Sequence, residues 1–162
     1  MAIHKLVLDD FLETEVYTLI GIHCTIEDYR LAYLLNKALQ INLTRKPKDI
    51  DNCNLKTTYP IFEWENPSQL TIWNLVSNSC KVKSNPDTNT VNSLFNAQQT
   101  RTKVYHLVPE YKKVNYLLKI ENELNSNREK LILDKILNIP QVVTAYTIDA
   151  EQLKAKDNLI FN

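Results

Sequence analysis

The order of apolar and polar residues divides this chain into strand-like and helix-like stretches. Val16-Tyr17-Thr18-Leu19-Ile20-Gly21-Ile22-His23-Cys24 is apolar or β-branched on both faces, as in a central strand covered on each side. Lys5–Leu8 reads as a shorter strand. The acidic Asp9–Glu13 reads as the turn of an N-terminal hairpin joining it to Glu15–Cys24. Gly21 in mid-strand points to a bulge or to a close approach by another element.

The period changes after Cys24. Leu31, Leu34, Leu35, Ala38 and Leu39 recur at i, i+3, i+4, i+7 and i+8, with Arg30, Asn36 and Lys37 off the stripe. That spacing is an amphipathic helix. Thr25-Ile26-Glu27-Asp28 resembles a capping box, so the helix is predicted to begin at Thr25. Two strands then follow, Tyr59–Glu65 and Leu70–Val82, the second with a possible break. They are joined by Asn66-Pro67-Ser68-Gln69, which has turn chemistry. Trp64 and Trp73 fall on these strands, placed to stack across the hairpin or to line a pocket.

Residues 83–102 are polar and carry the turn signal Asn85-Pro86-Asp87, which predicts a mobile loop, with Val91, Leu94 and Phe95 as one anchored turn. Lys103–Val108 and Val114–Glu121 read as a second hairpin around Pro109-Glu110-Tyr111-Lys112-Lys113. Ser126-Asn127-Arg128-Glu129 is a capping box for a second helix, with Ile132, Leu133, Ile136 and Leu137 as its core face and Pro140 as its stop. Val142–Ile148 alternates as a last strand, and a short helix is expected at Ala150–Lys156. This order predicts an α+β fold: a ferredoxin-like two-layer sandwich. It would hold a mainly antiparallel sheet with two helices on one face, plus an extra N-terminal strand and an added hairpin.

Composition narrows the picture. The chain has 162 residues, which suits a single domain over 1–162. Its 44% hydrophobic content is that of a globular core. Lys plus Arg and Asp plus Glu both number 19, so bulk phosphate neutralisation is not expected and nucleic acid is an improbable partner. The basic residues of Arg45-Lys46-Pro47-Lys48 and Lys112-Lys113 are the only patches that favour one. With a single glycine, no glycine-rich phosphate loop exists. No apolar stretch is long enough for a membrane span or a signal peptide, so a cytoplasmic protein is expected. The three cysteines, Cys24, Cys53 and Cys80, form no Cys-x-x-Cys pair, so neither a disulfide framework nor a zinc site is expected. No cofactor is expected, and His4, His23 and His106 lie too far apart to suggest a metal.

The candidate chemistry lies in two places. In the first, Cys24 precedes a helix N-terminus, where the dipole favours a thiolate, with the alternative that it packs in the core. His23 would point to the opposite face. His23, Thr25, Glu27 and Arg30 are candidate binding groups, although Glu27 and Arg30 at i, i+3 also suit a plain helix start. Tyr29 and Tyr33 with Arg30 suit a protein interface or a wide buried face. In the second, Glu110, Tyr111 and Lys112 occupy a turn able to bind a partner or an anion, or simply to stay solvated.

Three blocks of residues go together: His4-Lys5-Leu6-Val7-Leu8-Asp9, Leu19–Asn36, and Val108-Pro109-Glu110-Tyr111-Lys112-Lys113-Val114-Asn115-Tyr116. The last resembles the signature of the bacterial IPExxxVDY family, with Val108 in place of Ile and Asn115 in place of Asp. The resemblance implies a cytoplasmic bacterial protein and no particular reaction. Together these features favour a non-enzymatic module that binds a protein or a small ligand, with a homodimer formed by strand addition as one form of it. The alternative is a small enzyme with a pocket near the start of the first helix.

Overall fold

The computed structural model describes residues 16–52, 55–84, 101–122 and 124–161. The expected strand Lys5–Leu8, its hairpin turn, Cys53 and nearly all of the expected mobile loop fall outside them.

The first strand, β1 (Tyr17–Cys24), has its interior residues buried on both faces, as its sequence requires. It runs into α1 (Asp28–Leu39). A two-residue strand β2 (Thr44–Arg45) and a small ribbon of β3 (Ile50–Asn52) with β4 (Thr57–Tyr59) come next. The hairpin of β5 (Ile61–Asn66) and β6 (Thr71–Ser77) turns through residues 67–70. A second ribbon pairs β7 (Ser79–Ser84) with β8 (Arg101–His106). Then come β9 (Tyr116–Glu121), α2 (Ser126–Leu137) and β10 (Val142–Ile148).

Six strands form one sheet in the order β10-β1-β9-β6-β5-β2, with every pairing antiparallel. Successive side chains of a strand point to opposite faces, so the sheet carries two cores. On one face Ile20, Ile22, Cys24, Trp73, Leu75, Leu118 and Ile120 pack with Leu31, Leu35, Ile132 and Ile136 of the two helices. The other face buries Leu19, Val76, Leu117 and Ile148 under Leu107, Val108, Val114, Leu153 and Leu159. These covering residues come from short 3-10 turns and connecting segments, Pro109–Tyr111, Ala150–Gln152 and Lys156–Leu159 among them. The fold is α+β with a mainly antiparallel sheet and two helices, compatible with a two-layer sandwich.

Several local expectations are corrected. The helix after Cys24 begins at Asp28, with Glu27 as its N-cap and no side-chain capping bond, so Thr25 is an exposed linker residue. The second helix is capped by Asn125, whose side chain accepts the Arg128 N–H, one residue before the expected Ser126. The stretch read as one strand over Leu70–Val82 breaks at Asn78 into β6 and β7. Lys103–Val108 and Val114–Glu121 do not form a hairpin: β8 pairs with β7, and β9 lies between β1 and β6. Both edges of β1 are taken, by β10 and β9. The expected C-terminal helix is two 3-10 turns. The two tryptophans do stack across the hairpin, directly opposite each other with ring centroids 5.9 Å apart.

β10 departs from simple alternation. His23 pairs with Thr144 and Cys24 with Val142, which leaves Val143 as an extra residue in a bulge. Buried positions therefore fall at Val142, Ala145 and Ile148.

Candidate functional site

The candidate residues divide into two groups according to the face of the sheet they reach. Cys24 faces the helices and is buried. Burial pushes its thiol pKa up, against a smaller lowering by the Ile26 backbone, so the thiolate expected from a helix dipole is not formed at neutral pH. Glu27 and Arg30 form an i, i+3 ion pair of 3.5 Å, more than half exposed on both sides. Tyr29 and Tyr33 are 61% and 66% exposed, so the wide buried face is replaced by a surface. Thr25, Glu27, Arg30 and Tyr33 thus lie along one exposed end of α1 and converge on no shared enclosed point.

His23 lies on the opposite face and leads to a different neighbour. Its Nε2 and the Tyr146 hydroxyl share a 3.1 Å hydrogen bond, with the rings 5.4 Å apart. Tyr111 approaches Tyr146 at 6.4 Å between ring centroids. Burial, and secondarily Tyr111, raise the Tyr146 pKa, so the phenol keeps its proton at neutral pH. The fold therefore brings His23 together with Tyr111, through a tyrosine that sequence reasoning took for an ordinary strand residue. This aromatic group is built around β10, one of the two outer strands of the sheet among the described residues.

Much of the Val108–Tyr116 block has a structural explanation. Asn78 is fully buried at the break between β6 and β7. Its side chain donates to the carbonyls of Tyr111 at 2.8 Å and Val114 at 3.0 Å and accepts the Val108 N–H at 2.8 Å. Its backbone donates to Asn115 and accepts from Leu107. Glu110 accepts the backbone N–H groups of Lys154 at 2.6 Å and Ala155 at 3.1 Å. Its own backbone amide chiefly holds its carboxyl below the ordinary range; partial burial opposes this, and the amides of Lys154 and Ala155 add to the lowering. Asn115 accepts the Cys24 N–H at 3.0 Å, a role that needs an acceptor oxygen and that Asn and Asp both supply. Tyr116 donates to the Ile26 carbonyl at 2.7 Å. Lys112 is exposed and joins no part of this network.

A polar row, missed at the sequence level, crosses the same face as His23. Lys46 Nζ and Asn74 Nδ2 donate to one Glu63 oxygen at 2.8 and 3.0 Å. Lys119 lies opposite Asn74 and donates to the Leu159 carbonyl at 3.0 Å. Its ammonium faces the rings of Tyr17 and Phe161 at 4.8 and 5.2 Å. The only sequence signal was a lysine inside a strongly apolar strand. Beyond Lys46 lies a cavity of about 460 Å³ lined by residues 46–51, Ile61, Ile160 and Phe161, a volume in the range of small-ligand sites.

Among the described residues, no cluster of three or more His, Cys, Asp or Glu could hold a metal ion, and no helix is long and apolar enough to cross a membrane. Comparison with family models, curated proteins and solved structures finds no match for the chain.

Proposed function

We propose that this chain is a non-catalytic protein-binding module that takes an extended strand along the outer edge of β10. The observation that carries the reading is the chemistry of that edge. Val142-Val143-Thr144-Ala145-Tyr146-Thr147-Ile148 contains no charge and no proline. Outer strands are commonly guarded by lysine, by proline, by a bulge or by a covering element; among the described residues no strand pairs with the outer edge of β10, and its bulge at Val143 leaves Thr144–Ile148 regular. Strand addition draws affinity from main-chain hydrogen bonds and specificity from alternate side chains. The His23–Tyr146–Tyr111 group supplies an aromatic surface of the kind enriched at interfaces.

Two further readings accompany this one. The chain order β1, α1, β6, β9, α2, β10 and the spatial order β10-β1-β9-β6 support a ferredoxin-like unit, extended by β5, β2 and the two ribbons. The IPExxxVDY resemblance is compatible with a binding role: in that block Glu110, Asn115 and Tyr116 hold backbone, while Lys112 and Lys113 stay exposed. A second functional reading, small-ligand binding, rests on the 460 Å³ cavity and is tested by a thermal-shift screen of metabolites.

The strand-binding reading is tested by gentle isolation of the tagged full chain and its Tyr146→Lys variant from cells at native level, with mass spectrometry of co-purifying proteins. The expected result is a near-stoichiometric protein, or untagged copies of the chain itself, recovered with the parent and lost with the variant. Recovery unaffected by the substitution, or no recovery with the parent, overturns it.

A further inference from the structure

We infer that the ribbon of β7 and β8 is a binding surface for double-stranded DNA, entered into the major groove. It lies apart from the β10 edge and goes beyond the strand-binding reading.

The zero net charge of the chain hides an uneven distribution. β7 and β8 hold four of the 19 lysines and arginines and none of the 19 aspartates and glutamates. Lys81, Lys83, Arg101 and Lys103 are all exposed, and none joins an ion pair among the described residues. Charge on a two-stranded ribbon guards its edges against pairing. Guarding works with either sign, so it accounts for charged residues here but not for cations alone. A ribbon of one sign on a chain whose remainder is acidic is the footprint of a polyanion site. Lys112 and Lys113, also exposed, stand at its foot. Asn78, the residue before β7, holds the carbonyls of Tyr111 and Val114 on either side of them.

Register sets out the charges. Residues directly opposite in the ribbon share a face. Cys80 with Tyr105, Val82 with Lys103 and Ser84 with Arg101 lie on one face; Lys81 with Val104 and Lys83 with Thr102 lie on the other. Cys80 packs against the second core and β4 packs against β7, so the ribbon is fixed at its root. Past the root, Lys81, Lys83 and Ser84 of β7 and Arg101–Val104 of β8 are exposed. β7 carries its two cations on one face and β8 its two on the other, so each strand bears one cationic row. The face turned away from the core adds Thr102 and Val104, whose hydroxyl and methyl groups suit base edges.

The same geometry selects among nucleic acids. The major groove of B-DNA is about 12 Å wide and admits a two-stranded ribbon, whose strands lie about 4.8 Å apart. A cationic row on each strand then faces the phosphates of each groove wall. The deep, narrow major groove of A-form RNA does not admit side chains. Single strands are held by bases stacking on aromatic platforms. The tyrosine of this ribbon, Tyr105, is half-buried and has the Lys103 ammonium 5.0 Å over its ring.

The test is fluorescence anisotropy of a labelled mixed-sequence DNA duplex titrated with the full chain, from about 50 to about 200 mM salt. Four phosphate contacts predict a slope of log K against log salt of about −3.6, a weakening of roughly a hundredfold over that range. Lys81→Gln with Lys83→Gln, and Arg101→Gln with Lys103→Gln, each remove two contacts. Each pair should weaken binding at low salt and halve the slope to about −1.8. Lys37→Gln with Lys130→Gln makes the same change in net charge on the two helices and should leave the slope unchanged. All six positions are exposed, and circular dichroism checks that the variants fold. Duplex binding that depends on the ribbon and is not matched by the single strand or by an RNA duplex of the same sequence supports the proposal. A duplex that does not bind, or binds without salt dependence, overturns it. So does an equal loss in the helix variant, which would reduce the effect to net charge. Equal binding of poly-glutamate would make the ribbon a surface for acidic protein and overturns the DNA assignment. Competition by netropsin, which fills the minor groove, overturns the placement in the major groove.

Discussion

At the scale of single residues, the chain spends its polar groups on its own backbone. Asn78 shows the strongest form of this, since a buried amide with all its partners made is favourable, whereas removing it strands several buried groups at once. Tyr116 shows a form that responds to pH. Burial, then the neighbouring Cys24, Asp28 and Glu27, push its phenol from 10.0 up to about 12. The unfolded chain therefore gives up this proton before the native one does. The associated stability is complete below about pH 10 and is lost as pH rises towards about 12. Tyr116→Phe removes both the bond to the Ile26 carbonyl and this titration. In urea unfolding near neutral pH the variant should be less stable by about 1 kcal/mol. The gap should narrow as pH rises above the ordinary tyrosine range. A gap that is constant with pH would mean that Tyr116 is not held in its protonated form by the fold.

At the scale of elements, close approach decides the path of β1. A methyl group on Gly21 would come within 3.0 Å of Ile148 Cδ1 and 3.1 Å of Val114 Cγ2. Val114 cannot yield easily, because its β-branched side chain has few rotamers. Gly21→Ala should lower stability by about 1–2 kcal/mol, read from the urea midpoint. Adding Val114→Ala should recover part of the loss, since the two changes share one space; strictly additive losses would disprove the contact. Gly21 was legible as a close approach from its place in a strand, but its neighbours were not. The same division holds elsewhere. β1, the stop at Pro140 and the span of β10 follow from local pattern, and the structure agrees with them. The pairing of β9 depends on where Asn78 sends the chain, more than thirty residues away, and no local pattern records that. The spacing of buried residues in β10 depends on a bulge set by β1. Of the candidate site, His23 and Tyr111 were legible as chemistry-bearing residues, whereas Tyr146, which joins them, became visible only through strand register.

At the scale of the whole molecule, the two faces of the sheet are closed by different means. The helical face is sealed by the continuous apolar stripes of α1 and α2. The other face is sealed by short turns and the C-terminal segment, which lack ladders of their own and so depend on individual side-chain anchors. Glu110 is one, through the N–H groups of Lys154 and Ala155; Asn158, donating to the Leu107 carbonyl at 2.8 Å, is another. Such segments open at low free energy while the core stays closed. Glu110→Ala should therefore speed amide hydrogen exchange over residues 153–161 and leave β1 and β9 unchanged. The lowered Glu110 pKa sets the pH response. The anchoring is complete above the ordinary glutamate range and is lost as pH falls through the lowered value. Glu110→Gln keeps an acceptor oxygen without the charge, so its segment should be protected less than the parent's near neutral pH, but with no acid-dependent loosening of this origin. If Glu110→Ala left exchange in 153–161 unchanged, the carboxylate would not be an anchor for the second face, and its place in the Val108–Tyr116 block would have to be explained by contacts outside the chain.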